Sequence, residues 1–291
     1  MNTPFYIVDV FAREQFTGNQ LAVFPDAGGL STEEMQSLAL EMNYSETTFI
    51  TGDMENDGGY PVRIFTPREE VPFAGHPTLG TAFVIHEYVL PDRTHEITLN
   101  LKVGQIPVQV EQDPPLYRMT QQPPEFGDEL DPESLAKVLN IDPGDIETRF
   151  PIQSVSTGLP FIIVPLKTLS AVKQSQIDHR HYPGLIRNSE TKAILIFAPE
   201  TLHQGNDLHA RVFAEYYGVP EDPATGSANG CLAGYLAKYR YFRNPNIDIR
   251  VEQGHEIGRP SLLHLRTELT SEGIRVQVGG QVIPVARGET I

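Results

Sequence analysis

Cysteine is almost absent from this chain: Cys231 is the single thiol among 291 residues. One cysteine excludes an intrachain disulfide and a cysteine-built zinc centre, and it fits a reducing compartment. Basic residues are scarce as well, 22 Lys and Arg against 38 Asp and Glu, for a formal charge of −16. A duplex or an anionic membrane surface repels such a chain, so neither nucleic acid nor membrane is expected as a partner. Long apolar runs are missing too. Stretches such as Ala193 to Ala198 and Ala82 to Ile85 fall far short of the roughly 18 residues of a membrane span. The opening MNTPFYIVDVF has no basic leader and carries Asp9 inside its apolar stretch, so it reads as a first strand of a soluble, cytoplasmic protein. No glycine-rich dinucleotide fingerprint follows a strand and no Walker loop occurs, so no cofactor is expected. The histidines are scattered, and the close pair His179 and His181 lies in a polar loop without a matching carboxylate. No metal is assigned.

What is present is globular, with 40% apolar and 21% charged residues, in a length that suits two medium domains. Prolines 114, 115, 123, 124 and 132 crowd the stretch from Gln112 to Pro132. Such density argues against a sheet interior or a helix and marks a linker. The two sides of it look alike. Gly18-Asn-Gln-Leu-Ala-Val-Phe answers to Gly158-Leu-Pro-Phe-Ile-Ile-Val, Arg63-Ile-Phe to Arg211-Val-Phe, Gly75-His-Pro-Thr to Gly226-Ser-Ala-Asn, and Gly104 to Gly254. Their common order and slowly drifting offset of about 150 residues point to two copies of one α/β unit.

Alternating or β-rich segments predict strands at Tyr6 to Phe11, Leu21 to Phe24, Thr47 to Ile50, Val62 to Thr66, Ile97 to Leu101 and Ile106 to Val110 in the first half. The second half supplies Phe161 to Leu166, Ala193 to Ala198, Leu208 to Phe213, Ile247 to Val251, Leu262 to Leu265 and Ile274 to Val278. Ser31-Thr-Glu-Glu34 is a capping box ahead of an apolar face formed by Met35, Leu38, Ala39 and Met42. The stretches from Thr78 to His86 and from Ala228 to Ala237 are apolar or small on nearly every side, which requires helices buried all round. Their glycines and alanines, Gly80, Ala82, Gly230, Ala233 and Gly234, let strands approach closely.

Both buried helices open with matching signals, His76-Pro77 at one first turn and Gly226-Ser227, a glycine with a hydroxyl cap, at the other. Free backbone N–H groups and the positive end of a helix dipole suit a carboxylate. Glu46, in Tyr44-Ser-Glu-Thr47 between a helix and a strand, is placed to enter a cleft, where desolvation would raise its pKa; on spacing alone it competes with every other acid. Asp222 has a sufficient ordinary role in an Asp-Pro turn. Ser227 has Thr225 where a nucleophile elbow needs glycine, and Cys231 reads as a packed thiol.

The segments Asn43-Tyr-Ser-Glu-Thr-Thr-Phe, Pro72-Phe-Ala-Gly-His-Pro-Thr-Leu-Gly, Glu221-Asp-Pro-Ala-Thr-Gly-Ser-Ala-Asn-Gly and Gln253-Gly-His-Glu-Ile-Gly-Arg-Pro-Ser resemble the signatures of the phenazine biosynthesis PhzF family. Asp9-Val-Phe and Phe16-Thr-Gly-Asn19 extend the resemblance over essentially the whole chain. It implies an α+β, diaminopimelate epimerase-like fold: two pseudo-symmetric domains, each a β-barrel-like sheet around a central apolar helix, with the active site between them. The last strand then returns to the first domain, giving domains at 1–118 with about 280–291, and at 119–279. Homodimers are usual in the family. Epimerases and proline racemases of this fold use two cysteines, one at each helix start, where this chain has His76 and Ser227. What the resemblance implies instead is cofactor-independent isomerisation of a small cyclic carboxylate of the trans-2,3-dihydro-3-hydroxyanthranilate type. Glu46 is then the general acid/base, assisted by His76 and Asp222, with Asn19, Gly75, Gly226 and Ser227 binding substrate. Two other readings stand beside it, a non-catalytic metabolite-binding protein and a one-base epimerase or lyase of an amino or hydroxy acid. Arg259 is read as structural.

Overall fold

Ser31 and Glu34 cap the first helix of this computed structural model reciprocally, the hydroxyl accepting from the Glu34 N–H and the carboxylate from the Ser31 N–H. The structure describes residues 2–112 and 115–291; Met1, Asp113 and Pro114, one of the linker prolines, lie outside the described residues. The chain divides into two compact units, Met1–Thr120 with Gly279–Ile291, and Gln121–Val278.

Unit 1 begins with β1 (Pro4–Val10) and β2 (Asn19–Phe24), followed by α1 (Thr32–Met42), β3 (Thr47–Ile50), β4 (Gly59–Phe65) and β5 (Glu70–Val71). Then come α2 (Gly75–Val84), a π-helical turn at Ile85–Val89, β6 (Glu96–Leu101), β7 (Gly104–Glu111) and β8 (Leu116–Thr120). The pairing runs β1 against β2, β2 parallel to β3, β3 against β4, β4 parallel to β6, and β6 against β7. The apolar face of α1 buries Met35 and Ala39 on Ala22, Phe24, Phe49 and Phe65, with Leu38 and Met42 packed at the edge. Phe49 stacks on Phe24 at 4.9 Å and meets Phe65 edge-on at 5.4 Å. Each such ring withdraws enough area to contribute about 2 kcal/mol. All ten residues of α2 are buried. A Cβ on Gly80 would lie 2.5 Å from Leu21 Cδ2 and 2.9 Å from Val10 Cγ2, so only glycine lets α2 come this close to β1 and β2.

Unit 2 contains β9 (Glu125–Leu130), α3 (Pro132–Leu139), β10 (Ile152–Ser156), β11 (Pro160–Pro165), α4 (Leu169–Gln174), α5 (Tyr182–Asn188), β12 (Ala193–Ala198) and β13 (Leu208–Ala214). It continues with β14 (Val219–Asp222), α6 (Gly226–Lys238), β15 (Asp248–Gln253), β16 (Ser261–Thr270) and β17 (Gly273–Gly280). The pairing repeats that of unit 1: β10 against β11, β11 parallel to β12, β12 against β13, β13 parallel to β15, and β15 against β16. Helices α3, α4 and α5 cover one face through Leu135, Leu139, Val172 and Tyr182 over Ile162, Ile194 and Ile196. The final strand, β18 (Val282–Glu289), pairs antiparallel with β1 in unit 1. Mixed parallel and antiparallel pairing with segregated helices is an α+β architecture. Among the described residues no helix is long and apolar enough to cross a membrane.

The proline-rich stretch is not only a linker. It holds β8 and β9, because Pro115 precedes β8, Pro123 and Pro124 fall between the two strands and Pro132 opens α3, where a missing N–H costs nothing. The sequence pattern also passes over β10, β14, β18 and helices α3 to α5. Most of these are short, and β9 and β18 expose charged side chains that break the alternation.

Candidate active site

Helix α1 stops at Asn43, which takes a left-handed conformation at φ 54° and turns the chain toward β3. Glu46 follows, half-buried and one residue ahead of β3. His76 is the second residue of α2, and Thr81 further along this helix donates to Thr48 Oγ1 of β3 at 2.8 Å, tying the two elements together. The result is that Glu46 Oε2 lies 3.5 Å from His76 Nε2. Burial pushes the His76 imidazole down to about 3, against a hydrogen bond to the Gln20 backbone that favours the charged form. The ring is neutral at physiological pH, so its contact with Glu46 is not an ion pair. Its single N–H serves the Gln20 backbone, so Nε2 turns a lone pair toward the carboxyl. Asn19, next to Gln20, is buried at the start of β2, and Gly75 is buried as the first residue of α2.

In unit 2, Asp222 ends β14 and its Oδ2 accepts from the Thr225 hydroxyl. The ordinary turn role of this Asp-Pro pair is therefore filled. Thr225, not Ser227, is the N-cap of α6, and it does not cap with its side chain, because its hydroxyl is turned to Asp222. Gly226 and Ser227 are the first two helical residues, which corrects the hydroxyl cap expected at Ser227. Gln253 of β15 holds this corner. Its Nε2 donates to Asp222 O at 2.8 Å and Thr225 Oγ1 at 3.1 Å, while its Oε1 accepts from Asn229 Nδ2 at 2.8 Å. Gln121 Nε2 donates to Gly226 O at 2.9 Å.

The helix starts match in detail. Neither is capped by a side chain. Thr78 Oγ1 donates to Ala74 O at 2.8 Å, and Asn229 Nδ2 donates to Thr225 O at 3.0 Å, each reaching back to its own N-cap carbonyl. Both starts thus present N–H groups at the positive end of a dipole, without a side-chain oxygen of the cap residue to compete for them. Cys231 is buried in α6, within 3.6 Å of Thr157 Oγ1 and 3.5 Å of Leu159 O, and burial pushes its thiol up to about 11. It is a packed thiol and not a nucleophile.

The His179 and His181 loop does have carboxylates, contrary to expectation: His181 Nδ1 lies 3.2 Å from Asp178 and His179 Nδ1 3.2 Å from Glu215. Both imidazoles are exposed, and their carboxylate partners are partly buried. Arg259 closes the turn after β15 with its backbone, donating to Gly254 O at 2.9 Å. Sequence reasoning missed Gln253 and Gln121, which lie far in sequence from the groups they hold. A polar residue alternating with apolar ones at the end of a buried strand is the signal that marks Gln253.

The family model for phenazine biosynthesis-like proteins, PhzC-PhzF, matches residues 8–288. The chain belongs to the PhzF family. It is 36% identical to a Pseudomonas aeruginosa protein named trans-2,3-dihydro-3-hydroxyanthranilate isomerase, over 98% of each chain. It is 32% identical to a Clostridium acetobutylicum protein named an uncharacterized isomerase, over 98% of this chain and 97% of the other. A solved Bacillus anthracis member of the PhzF family superposes with a TM-score of 0.92 at 27% identity, over 100% of this chain and 99% of that one. A probable proline racemase from Agrobacterium radiobacter, with 9% identity, aligns at a TM-score of 0.66 over 99% of this chain and 93% of the other. That last likeness shows the shared, diaminopimelate epimerase-like fold. As a PhzF protein among relatives named isomerases, the chain is an isomerase.

Proposed function

We propose that this PhzF protein isomerises a small cyclic carboxylate of the trans-2,3-dihydro-3-hydroxyanthranilate class, with Glu46 as the proton carrier. The observation that carries this reading is the placement of Glu46 beside a buried, neutral His76 at the start of α2. The Glu46 carboxylate takes a proton from one ring carbon, the dienamine electrons shift across the ring, and the same group returns a proton to another carbon. No atom is gained or lost and no electron leaves the substrate, so the step calls for no redox group. His76, uncharged, passes or holds a proton without forming a lasting ion pair with Glu46. Asn19 binds a polar substrate group. Asp222 assists protonation, while the N–H groups of Gly75, Gly226 and Ser227 and the Ser227 hydroxyl bind the substrate carboxylate. The reading includes a homodimer in the cytoplasm.

Two cysteines acting on opposite faces are not available to this chain. The helix starts carry His76 and Ser227, and the one thiol is buried. The decisive experiment is incubation of wild type and Glu46→Gln with trans-2,3-dihydro-3-hydroxyanthranilate in deuterated water. Turnover by wild type with deuterium in the product, and its loss in the variant, is the expected result. A Glu46→Gln protein that keeps most of the wild-type rate removes Glu46 from the mechanism, and a wild type that leaves this compound unchanged removes the substrate class.

A further inference from the structure

Strand β15 ends on two adjacent polar residues that serve different corners. Gln253 holds Asp222, Thr225 and Asn229, whereas Glu252, 1% exposed, meets His209 of β13, which is 0% exposed. Glu252 Oε1 accepts from the His203 N–H at 2.8 Å and Asn206 Nδ2 at 2.7 Å; its Oε2 accepts from the Leu202 N–H at 2.8 Å and lies 3.1 Å from His209 Nδ1. The other ring nitrogen, His209 Nε2, lies 3.0 Å from Glu256 Oε1 in the short 3-10 turn His255–Ile257.

A neutral imidazole has one N–H and one lone pair, so between two carboxylates it satisfies one and turns a lone pair on the other. An imidazolium donates to both, in two charge-assisted bonds away from water. The remaining charged or titratable neighbours are His255, whose ring lies 5.5 Å from those of both His209 and His203, and Arg211, which acts on Glu256. Burial works against a charge on His209, but the bonds to Glu252 and Glu256 overcome it and raise its pKa. Glu252, despite its own burial, is held down to about 2 by the same partners. A metal is a poor alternative. His203, Glu252 and His255 bring ligand atoms within 4.8 Å of one another, yet four donors already use the lone pairs of Glu252.

The turn that carries Glu256 is an addition to unit 2. Strands β6 and β7 are joined by two residues, whereas β15 and β16 are joined by seven. This longer turn lies against the candidate site, since a Cβ on Gly254, at φ 77°, would come within 2.5 Å of Pro223 O and 2.4 Å of Arg259 O.

We propose that His209 is a buried imidazolium clamp: it pins the 254–260 turn to β13 and, through Gln253 and Gly254, positions the segment from Asp222 to Ser227. It is a positioning residue, and its consequence for turnover rests on Asp222 assisting protonation and Ser227 binding substrate.

The test is nuclear magnetic resonance of the ring nitrogens in the 15N-labelled full chain, with His209 assigned by its absence from His209→Gln. At about pH 7.5, well above the ordinary histidine value, both nitrogens of His209 carry protons. In Glu256→Gln the His209 pKa falls by about one unit or more, and the Thr225 amide and Asn229 side-chain amide signals titrate with it. A neutral His209 in wild type at that pH overturns the clamp. A titrating His209 that leaves Thr225 and Asn229 unmoved overturns the positioning. Should Glu256→Gln not fold, wild type taken to higher pH gives both readouts. In turnover, the alkaline limb of kcat/KM moves down by as much as the His209 pKa does. Failure of the isomerase reading shows separately, as a wild type that binds and converts no substrate while the resonance result stands.

Discussion

Two arginine pairs occupy the same place in the two units and differ only in what surrounds them. Arg63 and Glu70 form a two-pronged bond at 2.9 and 2.8 Å, and Arg211 and Glu221 form the same bond at the same distances. Each guanidinium also lies over a phenylalanine two residues on, Phe65 at 5.0 Å and Phe213 at 4.8 Å. In unit 1 the pair is part-exposed, shared with the Thr32 hydroxyl and Lys102, and Arg63 with Lys102 holds the Glu70 carboxyl down to about 2. In unit 2 helix α4 covers the pair, and Arg211 Nη1 is buried against the carbonyls of Val172, Lys173 and Ser175. The duplicated geometry is set by residue type. Its energetic weight is set by the helices inserted above it.

The largest expected effect belongs to the asymmetry of the chemistry. Glu46→Gln should lower kcat by about 10²–10⁴-fold, whereas Ser227→Ala should act mainly on KM. Equal losses of kcat in both variants, measured by steady-state kinetics, would break the division of labour between the units. Next comes the pair itself. Arg211→Met leaves Glu221 buried and three carbonyls without their donor, and should cost about 3–5 kcal/mol in denaturant unfolding. Arg63→Met, at a solvated site, should cost about 0–1 kcal/mol; similar values for the two would show that burial is not what separates them.

The glycines of the matching turns, Gly104 at the start of β7 and Gly254 just after β15, sharpen the comparison further. Gly254→Ala meets backbone oxygens and a positive φ, while Gly104→Ala meets only the φ of 109° and open space. The second should cost about 1 kcal/mol and the first clearly more, read as a larger drop in Tm. Last is acid stability. His76 falls to about 3 when folded, so between that value and about 6.5 the unfolded chain binds the extra proton. Stability is full above this window and declines as pH falls through it, by at most about 1.4 kcal/mol per pH unit for this group. Glu70 and Glu252, held down to about 2, add a loss only below the ordinary carboxylate range. His76→Gln should flatten the slope between about pH 6 and pH 5, and an unchanged slope in unfolding at graded pH would contradict a buried neutral ring.

Much of the fold was legible because it is local or periodic. The capping box at Ser31 and Glu34 lies within one turn, and the apolar positions of α1 follow helical spacing. The strand Ala193 to Ala198 is read from six consecutive apolar residues, all buried in β12. The prolines misled because a count per stretch hides their placement: β8 and β9 fit in the gaps between them. At the site, spacing alone does not distinguish Glu46 from other acids, and only the resemblance to the family singles it out. Its neighbour His76 is 30 residues away in the chain, and their 3.5 Å approach depends on how α2 seats on β3.

The sequence by itself determined two α/β copies, their apolar helices, the absence of paired thiols and the PhzF signatures. These are properties of residue type, period and order. Tertiary structure alone decided that His76 is neutral, that Thr225 turns its hydroxyl away from α6, and that His209 stands between Glu252 and Glu256. A charge state or a hydrogen-bond partner depends on burial and on atoms brought together from distant segments, and neither is written in the order of residues.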